Sequence, residues 1–407
     1  MDKSLQDVKD FLQNRLPTMV EQLHFFCEIN SSSYNLAGLA AMSEVLKKSF
    51  MPIADNIKII KSPSIETIDM SAKTIQQKCG DMLFIQKRPE LKQRILLCGH
   101  MDTVYDVNHP FQKLKFIDKN TINGPGVADM KGGLIVILHA LTAFESNNYA
   151  QNIGWDVLIN ADEEIGSPAS KQFINDIANS YQSALVYEPA MNSHGTLAKN
   201  RKGSGKFTLI ATGKAAHAGR AFNEGRNAIV YLAKAISAIH ELNGKRDGVT
   251  INIGLIQGGD ALNAVPEKAV AKIDVRISKK DDEKWVINEI NYLIDKLKHK
   301  DYRLEIHGEF SRPVKIVNPG TDKLFSTIKD LGDKLKIAID WQDSGGCCDG
   351  NNLSTHGLPV IDTLGVRGGD IHTHNEYILI DSLVERATLS TLLLIELAKK
   401  GMKDVIS

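Results

Sequence analysis

The sequence predicts an α/β protein: a mostly parallel central sheet flanked by helices, with a small α+β unit of four strands and two helices inserted into it. Three observations carry the prediction. Apolar strand-like runs alternate with helical patterns through the first half of the chain. Near residue 200 the order changes to strand, helix, strand, strand, helix, strand. After Ser311-Arg312-Pro313 the alternation returns. The predicted division is 1–199 and 312–407 for the body and 200–311 for the insert. A chain of 407 residues also exceeds what one core usually serves.

Residues 5–50 carry two or three helices, interrupted near Pro17 and at Asn30-Ser-Ser-Ser33. Strands are predicted at 57–60, 82–85 and 95–98. Glycines punctuate 124–133, and from Leu134 the apolar residues Ile137, Leu138, Leu141 and Phe144 recur at helical spacing. A strand at 155–160, a short helix at 169–178 and a strand at 184–187 follow. Within the insert, strands are predicted at 206–211, 249–255, 269–277 and 302–307. The helix at 227–242 sets Ile229, Leu232, Ile236 and Ile239 on one face, and a second sets Val286, Ile290, Leu293 and Leu297 together. The last helix is predicted at Asp381–Lys400, stopped by Gly401.

Composition narrows the function classes. Lys plus Arg number 49 and Asp plus Glu 49, a net charge of zero, which argues against nucleic acid or an anionic membrane as partner. The N-terminal stretch has no apolar core of a leader, and no apolar run is expected to span a membrane. Five cysteines, an odd number without framework spacing, fit reduced thiols and a cytoplasmic address.

The polar residues of interest follow predicted strands. His100 follows 95–98, Glu163 and Glu164 follow 155–160, and Glu188 follows 184–187. In an open α/β sheet the carboxyl ends of strands are where sites form. Asp129 stands in the glycine-rich loop before a helix. Singly, these residues read as a buried histidine, a solvated turn or a helix cap. Together, carboxylates and imidazoles on separate strand ends point to a divalent metal site.

The motifs extend this. Gly99-His-x-Asp102, Gly124 to Gly133, Asp162-Glu-Glu-x-Gly-Ser167, Glu188-Pro189 and a C-terminal histidine resemble the dinuclear zinc M20 metallopeptidases and deacylases. So do Gly213-Lys-Ala-Ala-His-Ala-Gly219, Asn263-Ala-Val-Pro266 and Asp274-Val-Arg276 in the insert, and the match covers nearly the whole chain. The resemblance implies two Zn2+ ions, with Co2+ or Mn2+ also suited. His100, Asp129 and Glu188 would hold one; Asp129, Glu164 and His372 the other. Asp129 would bridge, with a cis peptide to Met130, and Asp102 would hold the far nitrogen of His100. His374 remains a second choice for the C-terminal ligand. Glu163 would be the general base, and His217 would reach the oxyanion from the partner subunit of a homodimer formed through the inserted lid. Asn263, Arg276 and Arg312 would hold a substrate carboxylate. Gly345-Gly346 and Asp349-Gly-Asn351 would form a loop closing over the substrate. One departure stands out: Cys347-Cys348 occupies the place where relatives usually carry a small residue and Ser.

The implied activity is hydrolysis of an amide next to a free carboxylate in a small peptide, nearest the glutamate carboxypeptidase branch. The alternative within the class is a deacylase of N-acyl amino acids. A metal-binding scaffold without turnover is a third reading, and the intact set of ligands and Glu163 speaks against it.

Overall fold

The computed structural model describes residues 3–406. Three helices open the chain: Lys3–Asn14, Leu16–Glu28 and Leu36–Phe50. The break expected near Pro17 falls at Arg15, and Pro17 itself sits in the first turn of the second helix, where its missing N–H has no helical acceptor to lose. Asn35 caps the third by accepting from the Gly38 N–H at 3.1 Å.

The central sheet has six strands in the order Asn56–Ile60, Met82–Lys87, Gly154–Asn160, Arg94–His100, Ser183–Val186, Val360–Ile361. Only Met82–Lys87 runs against the rest. Arg94–His100 and Gly154–Asn160 are buried at every residue, as a parallel sheet covered on both faces requires. Ile95, Leu97, Val157 and Ile159 join the large core, which includes helices Gly133–Glu145 and Asp381–Lys400. Leu96, Cys98 and Leu158 point to a second cluster with Ile174 and Leu353, from helices Lys171–Ala178 and Asp349–Ser354. Register pairs His100 with Asn160 and Cys98 with Val186. Residues 100–102, 162–164 and 188 therefore emerge along one edge.

The expectation that no apolar run reaches membrane-spanning length needs a correction. By length and composition Val127–Glu145 could cross a membrane, yet 94% of its apolar window is buried inside the molecule. Such a run serves as a core helix here.

The insert forms a four-stranded antiparallel sheet in the order Thr250–Gly258, Lys268–Ile277, Gly203–Thr212, Arg303–Arg312. Phe207, Leu209, Ala211, Ala271, Ile273 and Val275 alternate along it onto one face. Helices Ala228–His240 and Asp281–Lys296 cover that face, making an apolar cluster separate from the body's. The last strand runs past the predicted 302–307. Gly308, with φ +117°, breaks the sequence alternation but not the ladder, and a Cβ there would lie 2.1 Å from the Lys206 carbonyl. The opposite face, with Lys206, Lys272, Asp274 and Arg276, looks toward the body: Lys206 Nζ donates to the Ile165 carbonyl at 3.0 Å.

Candidate metal centre and substrate cavity

Asp129 is placed by close packing. Its loop lies against the strand that leads to Glu188, and a Cβ on Gly133 would meet the Tyr187 carbonyl oxygen at 2.1 Å. Gly126, at φ +70°, makes the preceding turn. The Asp129–Met130 peptide is cis, as the resemblance implied.

The two oxygens of Asp129 face two histidines. Oδ1 lies 3.1 Å from His100 Nε2, and Oδ2 lies 3.2 Å from His372 Nε2. His372 Nε2 is also 3.1 Å from Glu164 Oε2, and His100 Nε2 is 3.7 Å from Glu188 Oε2. Of the two C-terminal histidines, His372 is the one whose ring lies among these carboxylates. His374 joins by its backbone alone, accepting from Asn123 Nδ2 at 3.1 Å.

Asp102 does more than expected. The Nδ1 of His100 is 3.0 Å from its carbonyl oxygen and 3.4 Å from its carboxylate. That carboxylate also accepts from the Glu163 N–H at 3.2 Å, the Glu164 N–H at 3.1 Å and the Ser33 hydroxyl at 2.7 Å. One buried side chain thus orients both the first histidine and the turn that presents the two glutamates.

Four carboxylates (Asp129, Glu163, Glu164, Glu188) are crowded together with two imidazoles. Burial pushes the Glu164 carboxyl up to about 8, helped by the charge of Asp129. Burial likewise raises Glu163 and Glu188. Hydrogen bonds to Asp129 and Glu164 push His372 up to about 11. Burial alone would lower His100, but Glu188 and the other carboxylates carry it well above its ordinary value. Asp129 goes the other way: burial opposes its charge, and the His100 and His372 bonds still hold it below the usual range. Glu164 Oε1 is buried with no hydrogen-bond partner among the described residues.

An excess of buried carboxylate, an orphaned oxygen and convergent imidazole nitrogens fit divalent cations with N and O ligands. Two groups bring their ligand atoms within 4.8 Å of one another: His100 with Glu163 and Glu188, and His100 with Asp129 and Glu164.

Arg312, expected at a substrate carboxylate, is spent inside the chain. Buried to 2% exposure, its Nη1 donates to Asp349 Oδ1 at 2.5 Å, and its Nη2 to Glu163 Oε1 at 2.7 Å and Ser167 Oγ at 2.8 Å. The expected closing loop is likewise mostly interior. Asp349 and Asn351 are buried in the helix Asp349–Ser354, where Asn351 Nδ2 holds the Lys202 and Pro313 carbonyls. A short helix anchored in this way through Asp349 and Asn351 does not swing over a ligand; Ser344, Gly346, Cys347 and Cys348 are the residues of that region that line the cavity.

That cavity, of about 440 Å³, has the carboxylate cluster on one side and Arg276, Lys206 and Cys347 on the other. His217 and Asn263 are exposed and do not line it. They sit beside each other where Ala216–His217 pairs with Ala264–Val265. In the sequence Glu376 stands only as the acid four residues after His372, with no role assigned to it. Fully buried, it accepts from the N–H groups of Gly126, Ala128 and Asp129 and from the Tyr105 hydroxyl at 2.6 Å. It ties the His372 segment to the Asp129 loop, and its only sequence signal is a Glu four residues after the histidine.

Fold and site together define a metal-dependent hydrolase built on an α/β sheet with an inserted α+β unit. The chain belongs to a known class of these: residues 96–396 match peptidase family M20/M25/M40. It is similar to carboxypeptidase G2 of Pseudomonas sp. (strain RS-16), 26% identical over 387 residues, covering 94% of this chain and 89% of that one. It is also similar to succinyl-diaminopimelate desuccinylase of Ehrlichia canis (strain Jake), 26% identical over 371 residues, with 82% and 94% covered. In fold it resembles an M20 family metallo-carboxypeptidase from Sulfolobus solfataricus: TM-score 0.72 at 18% identity, over 98% of this chain and 99% of that one.

Proposed function

We propose that this enzyme is an exopeptidase of the carboxypeptidase type, cleaving the amide next to a free carboxylate in small peptides. The observation that carries the reading is one cavity joining a carboxylate–imidazole cluster to a cationic wall of Arg276 and Lys206. His100, Asp129 and Glu188 would hold one cation and Asp129, Glu164 and His372 the other, with Zn2+ the first choice and Co2+ or Mn2+ suited to the same ligands. Such ions, when bound, supply a more acidic water and a polarised carbonyl.

The chain's own groups do the rest. Arg312, pinned by Asp349 and Ser167, fixes Glu163 through Oε1. Glu163 accepts the proton of the attacking water and returns it to the leaving nitrogen. Arg276 pairs with the substrate carboxylate. In this reading 1–199 and 312–407 form the catalytic domain and 200–311 the lid. His217 and Asn263 act on a neighbouring subunit's substrate in a homodimer, since in their own chain they lie outside the cavity. Exposed apolar side chains on the same unit, Val230, Leu255, Ile256 and Leu262, support a self-association surface. Five free thiols support a cytoplasmic address.

The Ehrlichia canis relative favours a second reading, a deacylase of N-acyl amino acids using the same groups. The experiment is hydrolysis of a panel by metal-loaded protein against a chelated control. C-terminal-glutamate dipeptides, N-acetyl amino acids, N-acetylornithine and N-succinyl-diaminopimelate make up the panel. Cleavage of the glutamate dipeptides, lost on chelation, is the expected result; preference for the acylated compounds would establish the deacylase instead. Light scattering that shows an active monomer would remove the role of His217 across subunits.

A further inference from the structure

Cys347 stands at the join between the two units. Its thiol donates to the Lys202 carbonyl at 3.0 Å, one residue before the first strand of the inserted sheet. It also accepts from Arg276 Nη1 at 3.2 Å. Arg276 Nε is held by Asp274 Oδ2 at 2.8 Å. Two of the three guanidinium nitrogens are thus tied within the chain. Among the described residues Nη2 has no hydrogen-bond partner, and the side chain, 32% exposed, lines the cavity.

We propose that Cys347 is the positioning residue for Arg276, bridging the Lys202 carbonyl and the guanidinium so that Arg276 meets a substrate carboxylate in a fixed place. The inference rests on the carboxylate-reading role given to Arg276 above. A thiol suits the task because sulfur is a weak acceptor. It orients Nη1 in the empty cavity yet yields that N–H to a carboxylate, which binds it far more strongly. The bond to Lys202 needs the protonated form. Burial keeps the thiol pKa raised, against the lowering effect of Arg276 and Arg312. Cys348 has no such part: it is buried and accepts from the Gly350 N–H at 3.3 Å as a helix cap.

The test compares wild type, Cys347→Ala, Cys347→Ser, Arg276→Ala and the Cys347→Ala/Arg276→Ala double variant on a C-terminal-glutamate dipeptide. Loss of one hydrogen bond to a weak sulfur acceptor predicts a KM raised about five- to tenfold in Cys347→Ala, with kcat nearly unchanged. Cys347→Ser should recover most of the loss, and the double variant should be no worse than Arg276→Ala. A second readout needs no turnover: alkylation of Cys347 by iodoacetamide in metal-free protein, followed by mass spectrometry. Glutarate should slow it in wild type and not in Arg276→Ala. A normal KM in Cys347→Ala beside an impaired Arg276→Ala overturns the proposal and leaves the carboxylate reading standing, as does an equal loss in both backgrounds. A normal KM in Arg276→Ala, with no glutarate protection, removes both.

Discussion

Two buried groupings of charge meet at the same cavity, since Arg201 lines it beside Glu188, and they have opposite character. At Asp362 the account closes: Arg201 donates at 2.9 and 2.8 Å and Lys315 at 2.9 Å, two cations on one carboxylate. Lys315 also donates to the Lys199 carbonyl at 3.0 Å. Burial opposes the charge of Asp362, but Arg201 and Lys315 outweigh it and hold the carboxyl low. At Asp129 the account stays open: three glutamates join it, and among the described residues Glu164 Oε1 has no partner and Arg312, on Glu163, is the one permanent cation in direct contact. A structural ion cluster is complete by itself. A site for cations is complete only when they arrive.

That difference can be broken experimentally, and the largest effect should come from Glu163. Glu163→Gln removes the proton carrier while leaving the bond from Arg312 and the five proposed ligands. Turnover should fall by about 10²–10⁴-fold, the usual worth of general acid–base catalysis, with metal stoichiometry unchanged by atomic absorption. Full activity would end the assignment.

Asp362→Asn tests the closed cluster. It leaves Arg201 and Lys315 buried against a neutral group, which should cost about 3–5 kcal/mol of stability. Urea unfolding reads the loss, and added zinc should not repair it. Glu164→Gln is the counterpart in the open cluster, where burial already favours the neutral carboxyl and little charge is lost. The metal-free variant should be no less stable than wild type. It should, however, bind one ion in place of two. Each bound ion should add about 2.7 kcal/mol at a free metal concentration 100 times its Kd, so wild type should gain about twice what the variant does. A metal-free Glu164→Gln protein that unfolds like Asp362→Asn would show that the two clusters are alike after all.

The open cluster was legible in the sequence and the closed one was not. His100, Glu163, Glu164 and Glu188 each follow an apolar run that forms a strand, so a parallel sheet had to collect them along one edge. The insert was legible for a similar reason, since its strand and helix periods are clean on the covered face. Asp362 and Arg201 lie 161 residues apart, and no local pattern joins them. The same holds for Asp349, which steadies Arg312, and for Glu376, whose partners around Asp129 lie about 250 residues upstream. Arg312 itself could be recognised as important, but the choice between substrate and Glu163 depended on side-chain direction, which no spacing conveys.

Histidine repeats the comparison on a smaller scale. His372 sits among carboxylates and is pushed up, whereas His139, buried on helix Gly133–Glu145, is pushed down to about 4 by burial and then by Arg15. Its Nε2 pairs with Gln22 Oε1 at 2.7 Å, and its Nδ1 accepts from Arg15 Nε at 3.2 Å. A proton on Nδ1 would displace that bond and face a guanidinium in a dry core. The unfolded chain, with an ordinary histidine, binds this proton below about pH 6.5; the folded chain resists it until about pH 4. Between those values the unfolded state holds more protons, so stability falls as the pH is lowered through the window and is level above it. From pH 7 to pH 5 this one group should remove about 2 kcal/mol. His139→Gln, which can still accept from Arg15, should lose that part of the slope. The comparison requires urea unfolding of both metal-free proteins at the two pH values, so that the carboxylate cluster titrates equally in each. An identical slope in the variant would mean that His139 takes up its proton without leaving the fold.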